Sequence, residues 1–154
     1  MISHLALATT LALNYTALMS HTGIPNAVRP APAPLTPEQQ IAASLHPVEQ
    51  NIIERTNAER ARFGLRRLIP DLGLIRSARR HASWMTRNHR LQHTTAPVGE
   101  NIALGQENSA HAVQSWMNSS GHRANMLNTR YTRVGAAAYT ATNGRIYWCI
   151  QFQP

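Results

Sequence analysis

The chain has 154 residues and a hydrophobic fraction of 43%, which suits one globular domain with a buried core. Its formal net charge is +8, and because it contains no lysine, arginine carries all of the permanent positive charge. Its one cysteine, Cys149, excludes an intramolecular disulfide, so packing has to stabilise the fold. No stretch holds the roughly 20 apolar residues of a membrane-spanning helix, and we expect no membrane span.

Much of the positive charge falls in two runs that are typical of solvated helix faces. The runs are Arg60, Arg62, Arg66 and Arg67, followed by Arg76, Arg79 and Arg80. Such a surface could also dock on an anionic polymer of a cell envelope. No nucleic-acid-binding motif accompanies the charge, so we expect no nucleic-acid partner.

The N-terminal segment, residues 1–34, differs in composition from the rest of the chain. Residues 5–19 are moderately apolar and resemble the hydrophobic region of a secretory signal, although no arginine precedes Arg29. A disordered or loosely docked tail is the alternative. Residues 29–37 read R-P-A-P-A-P-L-T-P, which is typical of a polyproline linker. We therefore expect a separate domain over residues 35–154.

Two long helices are predicted in the first half of this domain. Pro47 suits a first helical turn and Gly64 a helix stop, which delimits the first helix. Asp71 can cap a second helix that runs to about His89. The apolar residues of the second helix recur at helical spacing, and they are Leu74, Ala78, Ala82 and Met85.

The second half of the domain changes from helical to alternating patterns. Residues 90–108 are rich in Thr, Pro, Gly and Asn and are predicted to form a loop. Ser109 then fits the N-cap of a third helix that ends at Gly121, with a short turn after it. Beyond that point the pattern has period two, and Asn143-Gly144 is the strongest short signal for a hairpin turn. Three helices before an antiparallel hairpin predict an α+β fold in which helices cover a small sheet.

Two histidines and a carboxylate, His93, Glu100 and His122, lie at breaks in the helical pattern. Neutral imidazole and carboxylate are first-rank ligands for zinc-like cations, and catalytic zinc sites combine three protein ligands with one position for water. The same three groups could instead serve as acid and base without a metal. Each could also be an ordinary loop or surface residue, because no helical H-E-x-x-H fixes their geometry.

Other candidates for chemistry receive structural interpretations. His81 is expected to be structural or surface-exposed, and Cys149 to be a buried, inert thiol in a strand. Ser119 lacks the G-x-S-x-G context of a hydrolase nucleophile. Asn57 and Arg60 are expected on the exposed-to-intermediate side of the first helix, where they would bond neighbouring loops.

Taken in order, these polar motifs resemble the CAP superfamily, also called the SCP domain family. The matching motifs are N-A-E-R from Asn57, L-x-x-x-A-R-R-H-A from Leu74, the single His93, G-E-N-I-A from Gly99, W-M-N-S-S-G-H-R-A-N-M-L from Trp116 and G-R-I-Y-W-C-I-Q-F from Gly144. The resemblance covers nearly all of residues 48–152, and the G-H-R-A-N form is similar to that of bacterial members. It implies a three-layer α-β-α sandwich around a central antiparallel sheet, with a central cleft.

The cleft of this family often carries two histidines and two acidic residues, and its histidines can hold a divalent metal. The resemblance assigns the histidine positions to His93 and His122 and one acidic position to Glu100. The second acid normally follows the helix tryptophan closely, but Trp116 is followed here by M-N-S-S. The missing carboxylate would weaken cation affinity and remove a candidate base. Residues expected to support the cleft are Asn101, Trp116, Asn118, Arg123 and Asn125.

Family members are generally secreted, and some bind sterols or other lipids, so the resemblance implies an extracellular or cell-envelope protein. We therefore expect a non-enzymatic binding module for a lipid, peptide or cell-envelope ligand, with an optional zinc or other divalent cation in the cleft. The alternative is a metal-dependent hydrolase in which Glu100 acts as the base or orients water. A third hypothesis is a structural protein whose basic surface docks on an anionic envelope polymer.

Overall fold

Residues 34–154, the part of the chain that this computed structural model describes, form five helices and four strands. In chain order they are α1 (Pro37–Ala43), α2 (Pro47–Arg62), β1 (Ile69–Pro70), α3 (Leu72–Asn88), β2 (Gly99–Leu104), α4 (Ser109–Met117), α5 (Ser120–Met126), β3 (Arg133–Thr140) and β4 (Ile146–Gln153). None of the helices within residues 34–154 is long and apolar enough to cross a membrane. The predicted signal-like segment and most of the predicted linker lie outside the described residues.

The four strands form one sheet in the order β1-β3-β4-β2, which places β2 at an edge. The three longer strands are antiparallel neighbours, and the two-residue β1 adds a short parallel pairing to β3. The prediction of a loop throughout residues 90–108 was wrong at β2. Four consecutive residues of that strand, 100–103, are buried, so the strand shows no period-two alternation. A short run without alternation, flanked by Gly, Pro and Asn, gives little strand signal.

The predicted C-terminal hairpin is confirmed, since β3 and β4 pair antiparallel along their whole lengths. The turn contains Asn143-Gly144. Gly144 has a φ of 79°, a left-handed conformation that glycine adopts without a Cβ clash. Its N–H donates to the carbonyl of Ala141 at 2.9 Å, which closes the turn.

The two long predicted helices are present as α2 and α3. Asp71 caps α3 as expected, since its carboxylate accepts a hydrogen bond from the Leu74 N–H at 2.9 Å. The opposite end of α3 is marked by His89, which has a left-handed φ of 49° and is exposed. The helix therefore ends where the sequence predicted.

The third predicted helix is two helices in the structure. Asn108, not Ser109, is the N-cap of α4, because its side-chain oxygen accepts a hydrogen bond from the His111 N–H at 3.0 Å. Helix α4 ends at Met117, and Gly121 lies inside α5 instead of ending α4. Gly121 does not have the positive φ with which a glycine stops a helix.

The helices cover both faces of the sheet, which confirms the three-layer α-β-α architecture. Helix α3 packs on one face, here called the α3 face, whose core residues are Ala78, Ala82, Met85, Ile102, Ala137, Ala141, Tyr147 and Cys149. Helices α2, α4 and α5 pack on the other, here called the α2 face. Its larger core includes Ile52, Val113, Trp116, Met126, Trp148, Ile150 and Phe152.

Helix α3 comes very close to the sheet at Gly135. A Cβ at this position would lie 2.2 Å from the carbonyl carbon of Leu74 and 2.3 Å from the nitrogen of Ile75, which are both backbone atoms. Backbone cannot move aside as a flexible side chain can, so no other residue fits here without a shift of α3. Glycine therefore sets the spacing between α3 and β3.

Arg60 and Asn57 are both buried on α2, which corrects the expectation of an exposed or intermediate position. The Arg60 guanidinium donates to four backbone carbonyl oxygens, those of Arg66, Met126, Asn128 and Tyr131. Asn57 donates to the Leu68 carbonyl at 3.0 Å and accepts from the Leu68 N–H at 2.8 Å. The expected bonds to neighbouring loops are thus confirmed. Burial lowers the pKa of Arg60, and its carbonyl partners offset the loss of water.

Candidate ligand and metal cleft

The candidate site forms at the start of β2, where two adjacent residues point to opposite faces of the sheet. Glu100 lies opposite Gln151 on β4, and Asn101 lies opposite Ile150. Because side chains alternate along a strand, Glu100 is on the α3 face and Asn101 is on the α2 face. Both residues are buried. Since β2 is an edge strand, groups from both faces can meet beside it.

The Glu100 carboxylate is held by donors on both of its oxygens. Oε1 accepts from the Thr94 N–H at 2.9 Å and from Nδ1 of His93 at 2.8 Å. Oε2 accepts from the Gln151 amide at 2.9 Å, and Sγ of Cys149 lies 3.6 Å from it. A buried carboxylate requires partners of this kind for its lone pairs. Glu100 therefore has little capacity left to activate a water molecule.

The hydrogen bond between Nδ1 of His93 and Glu100 fixes the orientation of the His93 ring. A carboxylate only accepts hydrogen bonds, so Nδ1 of His93 carries the hydrogen and Nε2 carries the free lone pair. The His93 side chain is 58% exposed, which leaves the ring accessible to a ligand. A carboxylate bonded to the far nitrogen of an imidazole is the usual way in which proteins orient a metal-binding histidine.

Asn101 positions the second histidine through its backbone. Its Nδ2 donates to the His122 carbonyl at 2.9 Å, and its Oδ1 accepts from the Asn125 amide at 3.0 Å. The same Asn125 amide donates to the Glu100 carbonyl at 3.1 Å. These bonds attach α5, which carries His122, to β2. The G-E-N element thus positions both histidines: Glu100 orients His93, and Asn101 anchors the backbone of His122.

His122 lies close enough to His93 for the two rings to interact electrostatically. Partial burial lowers the pKa of His122, and the repulsion that His122 would meet from a protonated His93 lowers it further. His122 is therefore neutral at neutral pH, which is the form of imidazole that binds metals.

A three-ligand metal site of His93, Glu100 and His122 is not formed. Within residues 34–154, no group of three or more His, Cys, Asp or Glu side chains is arranged to hold a metal ion. The physical reason is that both oxygens of Glu100 are engaged inside the protein. The structure instead places Glu100 in direct contact with His93, while the His122 side chain interacts with His93 only electrostatically and makes no hydrogen bond to Glu100 within the described residues.

His81 also belongs to this cluster, and sequence reasoning missed it. Its Nε2 donates to the Gln92 carbonyl at 2.8 Å and lies 3.7 Å from Oε2 of Glu100, too far for a hydrogen bond. Its ring stacks on Trp84, with centroids 6.0 Å apart and planes within 5°. The available signal was helical register, since His81 lies one turn before the buried Met85.

Two shallow grooves meet at the stacked His81 and Trp84 rings. The smaller, of about 270 Å³, includes His93 and is called the histidine cleft below. The larger, of about 490 Å³, runs along α3 and is called the α3 groove. Thr94 belongs to both, together with the two stacked rings. A ligand in one groove can therefore extend into the other.

Three of the residues expected to support the cleft lie elsewhere. Trp116 is fully buried in the core of the α2 face, where its Nε1 donates to the Ile102 carbonyl at 3.1 Å. Asn118 and Arg123 line a separate groove of about 560 Å³ between α2 and α4. Arg123 lies there over the ring of Phe63, 5.1 Å from its centroid. These side chains therefore lie outside the Glu100 cluster.

Cys149 is a buried thiol, as expected. Burial raises its pKa well above the usual range, and the neighbouring charge of Glu100 raises it further. The thiol therefore stays protonated, and a protonated thiol is a poor nucleophile.

The model of the cysteine-rich secretory protein family, CAP, matches residues 53–152. The YkwD protein of Bacillus subtilis is 34% identical over an alignment of 110 residues that covers 60% of this chain and 43% of that protein. An extracellular protein of Bacillus anthracis that contains an SCP domain superposes with a TM-score of 0.63 at 27% identity, over 80% of this chain and 45% of that one. NaASP2, solved with Zn²⁺, shares the fold with a TM-score of 0.54 at 14% identity, over 70% of this chain and 79% of that one.

The chain spans less than half the length of the curated bacterial relatives that it matches. The matched region contains the whole histidine cleft and runs from α2 almost to the end of β4. The motifs quoted from the sequence, the three-layer fold and the bacterial relatives all agree. The chain therefore belongs to the cysteine-rich secretory protein family, CAP, in its bacterial branch.

Proposed function

We propose that the chain is a non-enzymatic binding module that acts outside the cell or at the cell envelope. Its ligand is a lipid, a peptide or an envelope component that occupies the histidine cleft. A divalent cation such as zinc is held by His93 and His122. Kinship with the extracellular Bacillus anthracis protein supports the location.

The state of Glu100 is the observation that carries this proposal. A general base has to offer a free lone pair to a water molecule. Glu100 is 7% exposed, and its two oxygens already accept hydrogen bonds from Thr94, His93 and Gln151. These contacts favour a supporting role for the carboxylate over hydrolysis.

The two histidines suit a divalent cation. Nε2 of His93 has a free lone pair, its ring is fixed by Glu100, and His122 is neutral at neutral pH. NaASP2, which shares this fold, was solved with Zn²⁺. When bound, the cation would supply positive charge that attracts a carboxylate or carbonyl oxygen of the ligand. The two histidines would leave coordination positions for that oxygen.

Calorimetric titration of the full chain with zinc tests the metal. We expect one bound zinc ion, with affinity reduced at least about tenfold in both His93→Ala and His122→Ala. His111→Ala is the matched control, because this exposed histidine of α4 lies beside Glu107 and does not contact His93 or Glu100. Unchanged affinity in the two cleft variants would remove the metal from the proposal.

Hydrolysis is tested on the same proteins with casein and with an activated ester. We expect no zinc-dependent cleavage above the rate of the His111→Ala control with chelator. Cleavage that requires zinc and disappears in both cleft variants would replace the binding module with a metal-dependent hydrolase.

A further inference from the structure

The α3 groove carries positive charge that no acidic side chain of residues 34–154 neutralises. The groove is lined by Ser77, Arg80, Ser83, Trp84, Arg87 and Thr94, together with His81 and Ala96. Arg80 and Arg87 are exposed, and neither takes part in an ion pair within the described residues. Arg79 on the same helix differs, since it pairs with the buried Glu49. The two groove arginines are therefore available to an anionic ligand.

Trp84 lies between these two cations on the same side of α3. It follows Arg80 by four residues and precedes Arg87 by three, which are the spacings of neighbours on one helix face. Trp84 is half-buried and packs partly against the core of the α3 face, while it also lines both grooves. Its indole is thus a fixed apolar platform. A sugar ring can pack its C–H groups on such a platform while its hydroxyls bond the serine and threonine side chains around it.

The distance between Arg80 and Arg87 indicates how far apart the anionic groups of the ligand should be. Seven residues of helix separate Arg80 from Arg87, which is about 10 Å along the axis. That spacing is close to a disaccharide, so a polysaccharide with one anionic group per disaccharide would place successive charges on successive arginines. Phosphates of a nucleic acid recur about every 3.4 Å along a strand, so every third phosphate would also match this spacing. Single-strand binders, however, stack successive bases on several aromatic side chains. The α3 groove offers the Trp84 indole with His81 stacked beside it, which favours the sugar polymer.

We propose that the α3 groove binds a carboxylated polysaccharide, with a sugar ring on Trp84 and carboxylates on Arg80 and Arg87. This inference rests on the proposed binding function and names the ligand class. Because the groove joins the histidine cleft at His81 and Thr94, the same sugar chain can continue toward His93.

Two hexasaccharides of similar size test the charge requirement on the full chain by calorimetry. Hyaluronan hexasaccharide carries one carboxylate per disaccharide, whereas chitohexaose is neutral. We expect hyaluronan to bind at least about tenfold more tightly at low salt, with the difference shrinking at high salt because exposed ion pairs are screened. An oligothymidylate of similar length is the third ligand. Tighter binding of the oligothymidylate would overturn the proposal in favour of a nucleic acid. Equal binding of the two sugars would show that the carboxylates do not contribute to affinity, which would also overturn it.

Substitutions locate the site. The double variant Arg80→Gln/Arg87→Gln should lower hyaluronan affinity about tenfold, while Arg76→Gln, an exposed arginine of α3 outside the groove, should not. Trp84→Leu keeps an apolar side chain against the core and removes the ring, and it should weaken binding about fivefold or more. Circular dichroism and the midpoint of thermal unfolding check that each variant is folded.

The outcomes separate this inference from the proposed metal site. Zinc binding with no hyaluronan binding at millimolar concentration overturns only the polysaccharide proposal. Hyaluronan binding that depends on Arg80 and Arg87 without any zinc binding retains the polysaccharide and removes the metal. Equal loss of affinity in Arg76→Gln and in the double variant would indicate general attraction to positive charge, and this also overturns the site.

Discussion

The two faces of the sheet are packed in different ways. On the α2 face, three helices enclose large side chains such as Trp116, Trp148 and Phe152. On the α3 face, one helix approaches so closely that alanines fill the interface and Gly135 touches the helix backbone. The close approach brings α3 and the loop that follows it next to the polar end of β2. The candidate site therefore lies beside the face with small core residues.

The buried charged residues of the two faces have different hydrogen-bond partners. Arg60 on the α2 face donates only to backbone carbonyls of the interior, so it holds loops and the end of α5 in place. Glu100 on the α3 face bonds side chains, and one of them, His93, is exposed. Glu100 can influence a ligand because its partner His93 reaches solvent. Arg60 is enclosed by backbone carbonyls, so its charge can only stabilise the fold. This contrast leads to three further predictions.

Gly135→Val should have the largest effect, because it tests the close contact of the α3 face. The added atoms would overlap the backbone of Leu74 and Ile75, so α3 must move, and we expect a loss of more than about 3 kcal/mol in the free energy of unfolding. Urea denaturation measures it. Gly121→Ala is the control, since a Cβ at that helical position meets nothing within 4 Å and should be neutral or slightly stabilising. A loss below about 1 kcal/mol at Gly135 would show that α3 can shift without cost.

Arg60→Met should have the next largest effect and tests the α2 face. Methionine retains most of the apolar packing but leaves carbonyls of Met126 and Asn128 without their donor, so we expect a loss of about 2 kcal/mol. The same urea measurement on Arg62→Met provides the comparison, because Arg62 is exposed and its pair with Glu59 contributes at most about 0.5 kcal/mol. Similar losses in the two variants would contradict a structural role for the buried guanidinium.

The sequence predicted the parts of the fold that have strong local signals. Asp71 and Asn143-Gly144 mark a helix start and a hairpin turn through short-range hydrogen bonds, and both are in place. The edge strand β2 was missed because its neighbours come from β4, far along the chain, and burial on both faces removes the alternation that identifies a strand. The same long-range packing buries Arg60, three of whose four carbonyl partners lie more than 60 residues away.

For the candidate site, the sequence suggested residues but not their geometry. The motif order pointed to His93, Glu100 and His122, but spacing could not show that Glu100 faces inward and supports His93. His81 was missed because its partner Glu100 lies on a strand that the sequence did not reveal. Local patterns therefore selected the candidate residues, whereas the pairing of β2 with β4 determined which groups Glu100 contacts.

The smallest expected effects are those of Glu100→Gln and Asn101→Ala, which test separately how β2 positions His93 and His122. Glu100→Gln should change the His93 ring and its tautomer, since it replaces the carboxylate that accepts from Nδ1. Asn101→Ala should instead disturb His122, whose carbonyl loses its donor. Each substitution should cost only about 1 kcal/mol in stability. Histidine ring signals in NMR spectra distinguish the two variants. Equal changes of both rings in both variants would mean that the two histidines respond together. That result would contradict separate positioning of His93 by Glu100 and of His122 by Asn101.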